Sequence, residues 1–444
     1  MLKTPQNIRT LQRKLYRKAK QEPACRFHAL YDKVYRADIL GHAYNLVRAN
    51  KGSAGIDGVT FEDIEAGEGA AAFMAELGEA LRSKTYKPAP VKRVMIPKGK
   101  GAYRPLGIPT IRDRVAQMAA KLVIEPIFEA DFCETSYGFR PGKSAHDAVD
   151  DVAHTLNKGY SEVIDADLAK YFDTIPHGKL MSMVAERISD GAMLRLIRMW
   201  LKAPVMEEDG DGTKRYVGGG KGNRKGTPQG GVISPLLANL YLHLVDRIWE
   251  RGQLQRKLGA RMVRYADDMV ILCRGGTERP MVVLREILGR MGLLLKETKT
   301  RVVDVHQEVF SFLGFEIGIW VSRGTGKRYA HVQPSKQSLQ TIKGRITELT
   351  ARGRTLIPLE HLVKEVNETV RGWVEYFHFR NCSKRMLQVR THLEERLWTH
   401  LRKRYKIRDR RSGYVRVERR DLYQRYGLFK VPATGGWTRA HALR

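Results

Sequence analysis

Residues 263–272 read VRYADDMVIL: two apolar arms rich in strand formers enclose adjacent aspartates, Asp267 and Asp268. Two carboxylates ~4 Å apart repel by about 1 kcal/mol in water and by several times that near a protein surface. Turn chemistry alone explains many Asp pairs, because Asp side chains hydrogen-bond their own backbone in loops. Here that explanation must also cover a second acidic segment, DADLAKYFD, which carries Asp165, Asp167 and Asp173. In a strand, Asp165 and Asp167 share one face while Ala166 takes the other. Few folds tolerate carboxylates at the ends of two buried strands unless a divalent cation offsets their charge, and magnesium binds through carboxylate oxygens together with substrate phosphates. Two such ions, roughly 3.5–4 Å apart, activate an attacking hydroxyl and stabilise the leaving oxygen of an in-line displacement at phosphorus. The chemistry indicated is phosphoryl transfer by a polymerase or a nuclease. Polymerase fits better, because His-rich and HNH-like ligand patterns are missing near these aspartates.

The charge balance agrees. Seventy-nine Lys and Arg against 48 Asp and Glu leave +31 over 444 residues, a field that attracts polyanions, of which nucleic acid is the usual one. Anionic lipid is the alternative, but no clear amphipathic anchor or lipidation motif is present and nothing approaches a transmembrane run. Cys25, Cys133, Cys273 and Cys382 are far apart with no C-x-x-C, which argues against zinc and against a disulfide framework and suits a reducing, cytosolic-type compartment. The first twenty residues are basic and lack the apolar stretch of a secretory signal. They read as a basic helix with Ile8, Leu11 and Leu15 on one face, or alternatively as an organellar transit peptide.

Several elements must position the aspartates. RMVRY and MVILC predict a β-hairpin whose tight turn displays Asp267 and Asp268 at a sheet edge, and EVIDADLAKYF predicts a buried strand running into a turn. VKRVMI (91–96) suits a strand followed by a Gly- and Pro-rich loop, PKGKGAYRPLGIP. A helix is expected from near Thr110 and another over VISPLLANLYLHLVDRIWERG, with GGGKGNRKGTPQGG before it as a flexible loop. From about 335 the pattern is helical, with no convincing strand until SGYVRVERR, so a mixed α/β part precedes an all-α part.

Tyr265 to Asp268, YADD, with DADLAKYFD upstream, resembles the catalytic blocks of reverse transcriptases. More narrowly, the chain resembles the reverse transcriptase–maturases encoded by bacterial group II introns. NKGSAGIDGVT (50–60) is similar to their N-terminal extension block, and RPLGIPTIRDRVAQ (104–117) and YGFRPGKSAHDA (137–148) to their fingers blocks. TPQGGVISPLLANLYL (227–242), LLLKETKTRVV (293–303) and FSFLGFEI (310–317) resemble palm blocks, and VRGWVEYF (370–377) the thumb signature. Single short motifs recur by chance; this many in order do not. The resemblance is to the form of these proteins that is expected to lack a Cys- and His-bearing HNH endonuclease domain after the basic tail.

The resemblance implies a right-hand polymerase fold, α/β in its fingers and palm. It implies a basic N-terminal helix at 1–27, N-terminal extension and fingers at 28–160, palm with fingers insertions at 161–330, an α-helical thumb at 335–405 and a basic DNA-binding tail at 406–444. It matches Asp167, Asp267 and Asp268 to the metal-binding triad, with the main-chain carbonyl of Leu168 completing a site for two Mg2+ ions, Mn2+ being able to substitute. Phe172 matches the bulky residue that excludes a 2′-hydroxyl, its other reading being plain core packing. Lys98 and Arg104 match cations that clamp the triphosphate, or else belong to a solvated loop. Gln229 matches a residue lining the nucleotide pocket, and Gly230 and Gly231 allow close approach of template or sugar. Arg140 and Tyr265 fall among template and primer contacts, although Tyr265 could equally be a strand aromatic. Arg371, Gly372 and Trp373 read as structural, with Gly372 for close helix approach and Trp373 as core. Residues 396–444 hold fifteen Lys and Arg against Asp409, Glu418 and Asp421, interleaved with aromatics, which suits phosphate contacts and base stacking. The implied partners are group II intron RNA, an RNA template with a DNA primer, target DNA and dNTPs, in a bacterial cytoplasmic ribonucleoprotein with no membrane. The competing readings are an RNA-binding splicing cofactor with an inert polymerase site and a retron, diversity-generating or defence-associated reverse transcriptase.

Overall fold

The structure is a computed structural model that describes residues 2–99, 102–208, 212–409 and 417–437. Its strands are β1 (Val91–Gly99), β2 (Ala102–Ile108), β3 (Glu162–Ala166), β4 (Val205–Glu208), β5 (Lys214–Gly218), β6 (Ala260–Tyr265), β7 (Asp268–Cys273), β8 (Arg301–Asp304), β9 (Phe310–Phe312), β10 (Phe315–Val321) and β11 (Arg328–Pro334). They form three sheets, in the orders β2-β1-β4-β5, β6-β7-β3-β8 and β11-β10-β9.

The central sheet, β6-β7-β3-β8, is antiparallel throughout and covered on both faces. Ile164, Ala166, Met269 and Ile271 point into one core with Ile124 and Leu237, from helices Ile111–Glu129 and Ser234–Arg251. Their alternates Val163, Val263, Val270 and Leu272 join a second core with helix Ala145–Asn157 and the β9–β11 sheet. Double coverage is why the arms of the YADD segment read as continuous apolar runs rather than an alternation. The predicted hairpin forms, with β6 and β7 pairing from Ala260–Cys273 down to Tyr265–Asp268. The predicted helix after Thr110 also forms, and Thr110 caps it by accepting from the Asp113 amide.

Helices Lys336–Leu349, Leu359–Phe377 and Ser383–Arg404 enclose a third core through Ile342, Ile346, Val366, Val370, Met386 and Leu393. Residues 417–437 fold back onto it: Val417, Leu422, Leu428 and Val431 are buried there. The expected tail is therefore partly a component of the helical unit. Of SGYVRVERR, residues 412–416 lie outside the described residues, and Arg419 opens helix Arg419–Gln424 where a strand was expected. The N-terminal helix, Gln6–Gln21, buries Ile8 and Leu15, with Leu11 half-buried, as its periodicity predicts. No helix among the described residues is long and apolar enough to cross a membrane, and the four cysteines are unbonded.

Two segments differ from expectation. PKGKGAYRPLGIP is largely a hairpin, because β1 continues to Gly99 and β2 returns from Ala102. β4 and β5 extend that sheet and carried no clear strand signal. A side chain at Gly372 would meet nothing within 4 Å among the described residues outside its own helix, so close helix approach is not its role there.

Candidate nucleotidyl-transfer site

The hairpin turn consists of two residues, Ala266 and Asp267. Ala266 has φ +57°, the left-handed region that two-residue hairpins require but that costs a non-glycine residue about 1–2 kcal/mol. Its surroundings hold it there. Arg264, fully buried two residues earlier, donates from Nη1 to the Ala266 carbonyl (2.8 Å) and to Asn239 Oδ1 (3.0 Å), and from Nη2 to Ser136 Oγ (2.6 Å). Arg264 Nε (2.9 Å) and Nη2 also bind the equally buried carboxylate of Asp246. Gly138 lies against the turn so closely that a Cβ there would stand 2.2 Å from the Ala266 nitrogen. Asn239 Nδ2 donates to the Gly138 carbonyl and closes the network. Arg264, Asp246 and Gly138 are not legible in the sequence as a unit; their one signal there is an arginine inside an apolar strand.

The turn delivers the acids. β3 pairs with β7 through Ala166–Met269, so Asp167 leaves β3 at the same sheet edge as Asp268. Asp268 is open to solvent on one side, yet loss of surrounding water, followed by the charges of Asp267, Asp167 and Asp165, pushes its carboxyl up to about 6, while Lys299 opposes the shift. Burial likewise raises Asp165, with Arg301 opposing and Asp167 adding to the shift. The structure thus brings the three predicted aspartates together and adds Asp165. Lys299 Nζ stands 3.0 Å from Asp167 and Arg301 Nη2 3.7 Å from Asp165. Among the described residues no three His, Cys, Asp or Glu side chains are arranged to hold a metal ion as they stand. The donor chemistry nonetheless suits a hard divalent cation: the donors are carboxylate oxygens, and the Leu168 carbonyl accepts no hydrogen bond from the described residues.

The fingers sheet is joined to the acidic segment through Gln229 and Asp173. Arg104 on β2 donates from Nε to Gln229 Oε1 (3.1 Å), and Gln229 Nε2 donates to Asp173 Oδ1 (3.4 Å), so cation, amide and acid form a chain. Lys98 lies near the end of β1, and its side chain is outside the described residues. Gly230 has φ +110°, and a Cβ there would stand 2.2 Å from the Gly107 carbonyl; at Gly231 it would stand 2.7 Å from Ser234 Oγ. The close approach these glycines permit is to the protein's own strand and helix. Phe172 is half-buried, edge-on to Tyr171 at 5.5 Å, and its carbonyl accepts from the Thr227 amide (2.7 Å). It therefore ties the acidic segment to the loop carrying Gln229.

Tyr265 is half-buried with its ring 6.5 Å from Phe139. Tyr376, at the end of helix Leu359–Phe377, donates to the Leu313 carbonyl (3.0 Å). Burial, with Tyr265 and Asp268 nearby, pushes its hydroxyl up to about 12. The all-α unit thus reaches the turn, which VRGWVEYF did not disclose. Arg140 is a correction: its side chain is buried, paired with Glu129 (2.6 Å), donating to the Cys133 carbonyl (2.7 Å) and lying over Phe132. A guanidinium so occupied braces the loop and is not free for template or primer.

Acids gathered at two strand ends, tied through Asp173 to a cation and an amide, form a site of the phosphoryl-transfer class to which polymerases belong. The chain belongs to the reverse transcriptase family in its group II intron form: the family described as reverse transcriptase (RNA-dependent DNA polymerase) matches residues 96–317, and the group II intron, maturase-specific domain matches 339–417. It is 35% identical to Protein YkfC of Escherichia coli (strain K12) over 348 residues, covering 70% of this chain and 88% of that protein. It is 28% identical to the group II intron-encoded protein LtrA of Lactococcus lactis subsp. cremoris over 408 residues, 76% of this chain and 62% of LtrA. An uncharacterized 91 kDa protein in the cob intron of Schizosaccharomyces pombe is 27% identical over 425 residues, 78% of this chain and 50% of that protein. The maturase match favours the intron form over retron or defence-associated relatives.

Proposed function

We propose that this chain copies RNA into DNA at the β6–β7 turn and assists the splicing of a parent group II intron through its helical unit. The observation that carries the polymerase reading is the set of acids at one sheet edge, where loss of surrounding water and then the neighbouring carboxylates push Asp268 up to about 6, with the acidic segment tied through Asp173 to the Arg104–Gln229 pair. In this reading Asp167, Asp267, Asp268 and the Leu168 carbonyl hold two Mg2+ ions, or Mn2+ in their place. When bound, the ions supply activation of the primer 3′-hydroxyl and neutralisation of charge on the leaving pyrophosphate. Arg104 and Lys98 clamp the triphosphate, Gln229 lines the nucleotide pocket with its amide fixed by Arg104 and Asp173, and Phe172 lies under the sugar. Tyr265 packs against the primer end. Lys299 and Arg301 hold Asp167 and Asp165 while no cation is present. The partners are an RNA template with a DNA primer, dNTPs, intron RNA and target DNA, in a cytoplasmic ribonucleoprotein.

Primer extension on an RNA template with dNTPs and Mg2+ tests this, run with wild type and with Asp267→Ala/Asp268→Ala. DNA synthesis should vanish in the double variant while RNA affinity stays equal or rises, because two negative charges leave a polyanion site. A double variant that still polymerises contradicts the reading; a wild type that binds intron RNA but extends nothing favours the splicing-cofactor alternative.

A further inference from the structure

We propose that the outer end of the β10–β11 hairpin is a stacking platform for single-stranded nucleic acid. Trp320 on β10 and His331 on β11 stack with ring centroids 3.7 Å apart and planes within 2°. They project from the same sheet face: the register pairs Gly318 with His331 and Trp320 with Tyr329, so Trp320 lies diagonally from His331 beside a glycine. Tyr329 adds a third ring, edge-on to His331 at 5.8 Å, its hydroxyl 3.2 Å from His331 Nδ1. This ordered stack is nonetheless open. Trp320 is 41% exposed although His331 covers part of its indole, and Val321 beside it is exposed too. His331 is nine-tenths buried, and its Nε2 makes no hydrogen bond among the described residues.

Core packing does not account for the cluster, since the opposite face of the same strands already serves the core through Phe315, Ile317, Ala330 and Val332. The platform is rigid. The Ile319 amide donates to the Val305 carbonyl (3.0 Å), the Ala330 amide to Asn157 Oδ1 (2.7 Å), and the tip is closed by the Ser322 amide donating to Lys327 (2.9 Å). Charge selects the occupant. Residues 320–329, WVSRGTGKRY, contain Arg323, Lys327 and Arg328 and no acid, and all three cations are exposed and without an ion pair among the described residues. An open indole beside unpaired cations on a rigid strand fits an unpaired base with its phosphates; a paired base has no free face to offer. The inner end of the same hairpin meets Tyr376 and Phe377 at the catalytic turn. Trp320 lies five residues further along the strand, roughly 16 Å away at ~3.3 Å per residue. The platform would therefore hold a strand well outside the catalytic centre, and the proposal does not depend on which residues perform the chemistry.

The test is binding of a fluorescein-labelled U12 RNA, and of the same length as a blunt duplex, by wild type, Trp320→Ala, Trp320→Phe and Arg323→Gln/Lys327→Gln/Arg328→Gln. Trp320→Ala should weaken U12 binding about 5- to 100-fold while leaving duplex affinity unchanged, and Trp320→Phe should recover most of it. The triple variant should flatten the salt dependence on U12 by about 0.7 per lost phosphate contact. Saturating unlabelled U12 should quench tryptophan emission in wild type more than in Trp320→Phe. Thermal unfolding run alongside, with primer extension on a fully paired substrate, separates loss of the platform from loss of fold or polymerase. Unchanged U12 affinity in a folded Trp320→Ala, or equal losses on U12 and duplex, overturns the proposal. The former would leave the patch to a protein partner.

Discussion

Arg264→Met removes a guanidinium that supplies donors to Asp246, Asn239, Ser136 and the Ala266 carbonyl. The lost bonds are the smaller part of the cost. Asp246, fully buried, keeps a charge with no counter-ion, and breaking one half of a buried pair costs about 3–5 kcal/mol. Against a total stability of about 5–15 kcal/mol this is severe. Arg264→Met/Asp246→Leu removes both charges, and such replacements are often neutral or stabilising. Stability should therefore return in the double variant. Synthesis should not, because the Ala266 carbonyl has lost its donor and the packing of Gly138 alone must hold its φ against the penalty of about 1–2 kcal/mol, so Asp267 and Asp268 lose their fixed placement. Urea unfolding measures the first quantity and single-nucleotide incorporation on an RNA template the second: kcat should stay at least tenfold down while KM for the dNTP moves little. Adding Ala266→Gly, which adopts that φ freely, should recover part of kcat. A stable double variant that incorporates at the wild-type rate would refute the idea that Arg264 positions the turn.

Three further outcomes follow from the same geometry. Asp268, raised in the folded chain to about 6, favours folding while protonated; that contribution is whole below about pH 4 and lost as pH rises through about 6. Without divalent metal, Asp268→Asn should flatten the pH dependence of Tm between 4.5 and 7.5 and gain about 1 kcal/mol at pH 8, a figure discounted for solvent exposure; an unchanged slope counts against the shift. Phe172→Val should raise rNTP use relative to dNTP in kcat/KM with modest loss of stability if the ring lies under the sugar, whereas a loss of about 1–3 kcal/mol with unchanged selectivity returns it to packing. Ending the chain after residue 405 should destabilise the helical unit by several kcal/mol, since four buried apolar side chains go with it, whereas Lys406→Gln/Arg408→Gln, both exposed, should leave Tm unchanged and lower the salt slope on duplex DNA by about 0.9 per contact.

The sequence carried the acids and their hairpin clearly, because adjacent carboxylates between apolar arms have few other uses. It concealed the fingers hairpin for a definable reason. Pro97 and Pro105 read as breakers, yet β2 is an edge strand, where a missing amide is harmless, and Pro97 adjoins an irregularity in register before Gly99. Arg140 was misjudged because burial is not written in a motif: it and Gly138 stand two residues apart in YGFRPG, and only the glycine touches the turn. The Arg264–Asp246 pair was illegible because its members lie on a strand and a helix, related only by folding. Tyr376 was hidden likewise, since its approach to Asp268 depends on how the helical unit docks.

In the proposed reaction three of the four gathered acids, Asp167, Asp267 and Asp268, run the polymerase and Asp165 does not. Single-nucleotide incorporation on an RNA template should be measured for Asp165→Asn, Asp167→Asn, Asp267→Asn and Asp268→Asn, with RNA affinity and Tm beside each. The last three should lose at least a thousandfold in kcat with RNA affinity intact, while Asp165→Asn, whose partner is Arg301, should stay within about tenfold of wild type. Wild-type incorporation by any of the three, or an Asp165→Asn as inactive as they are, would contradict it.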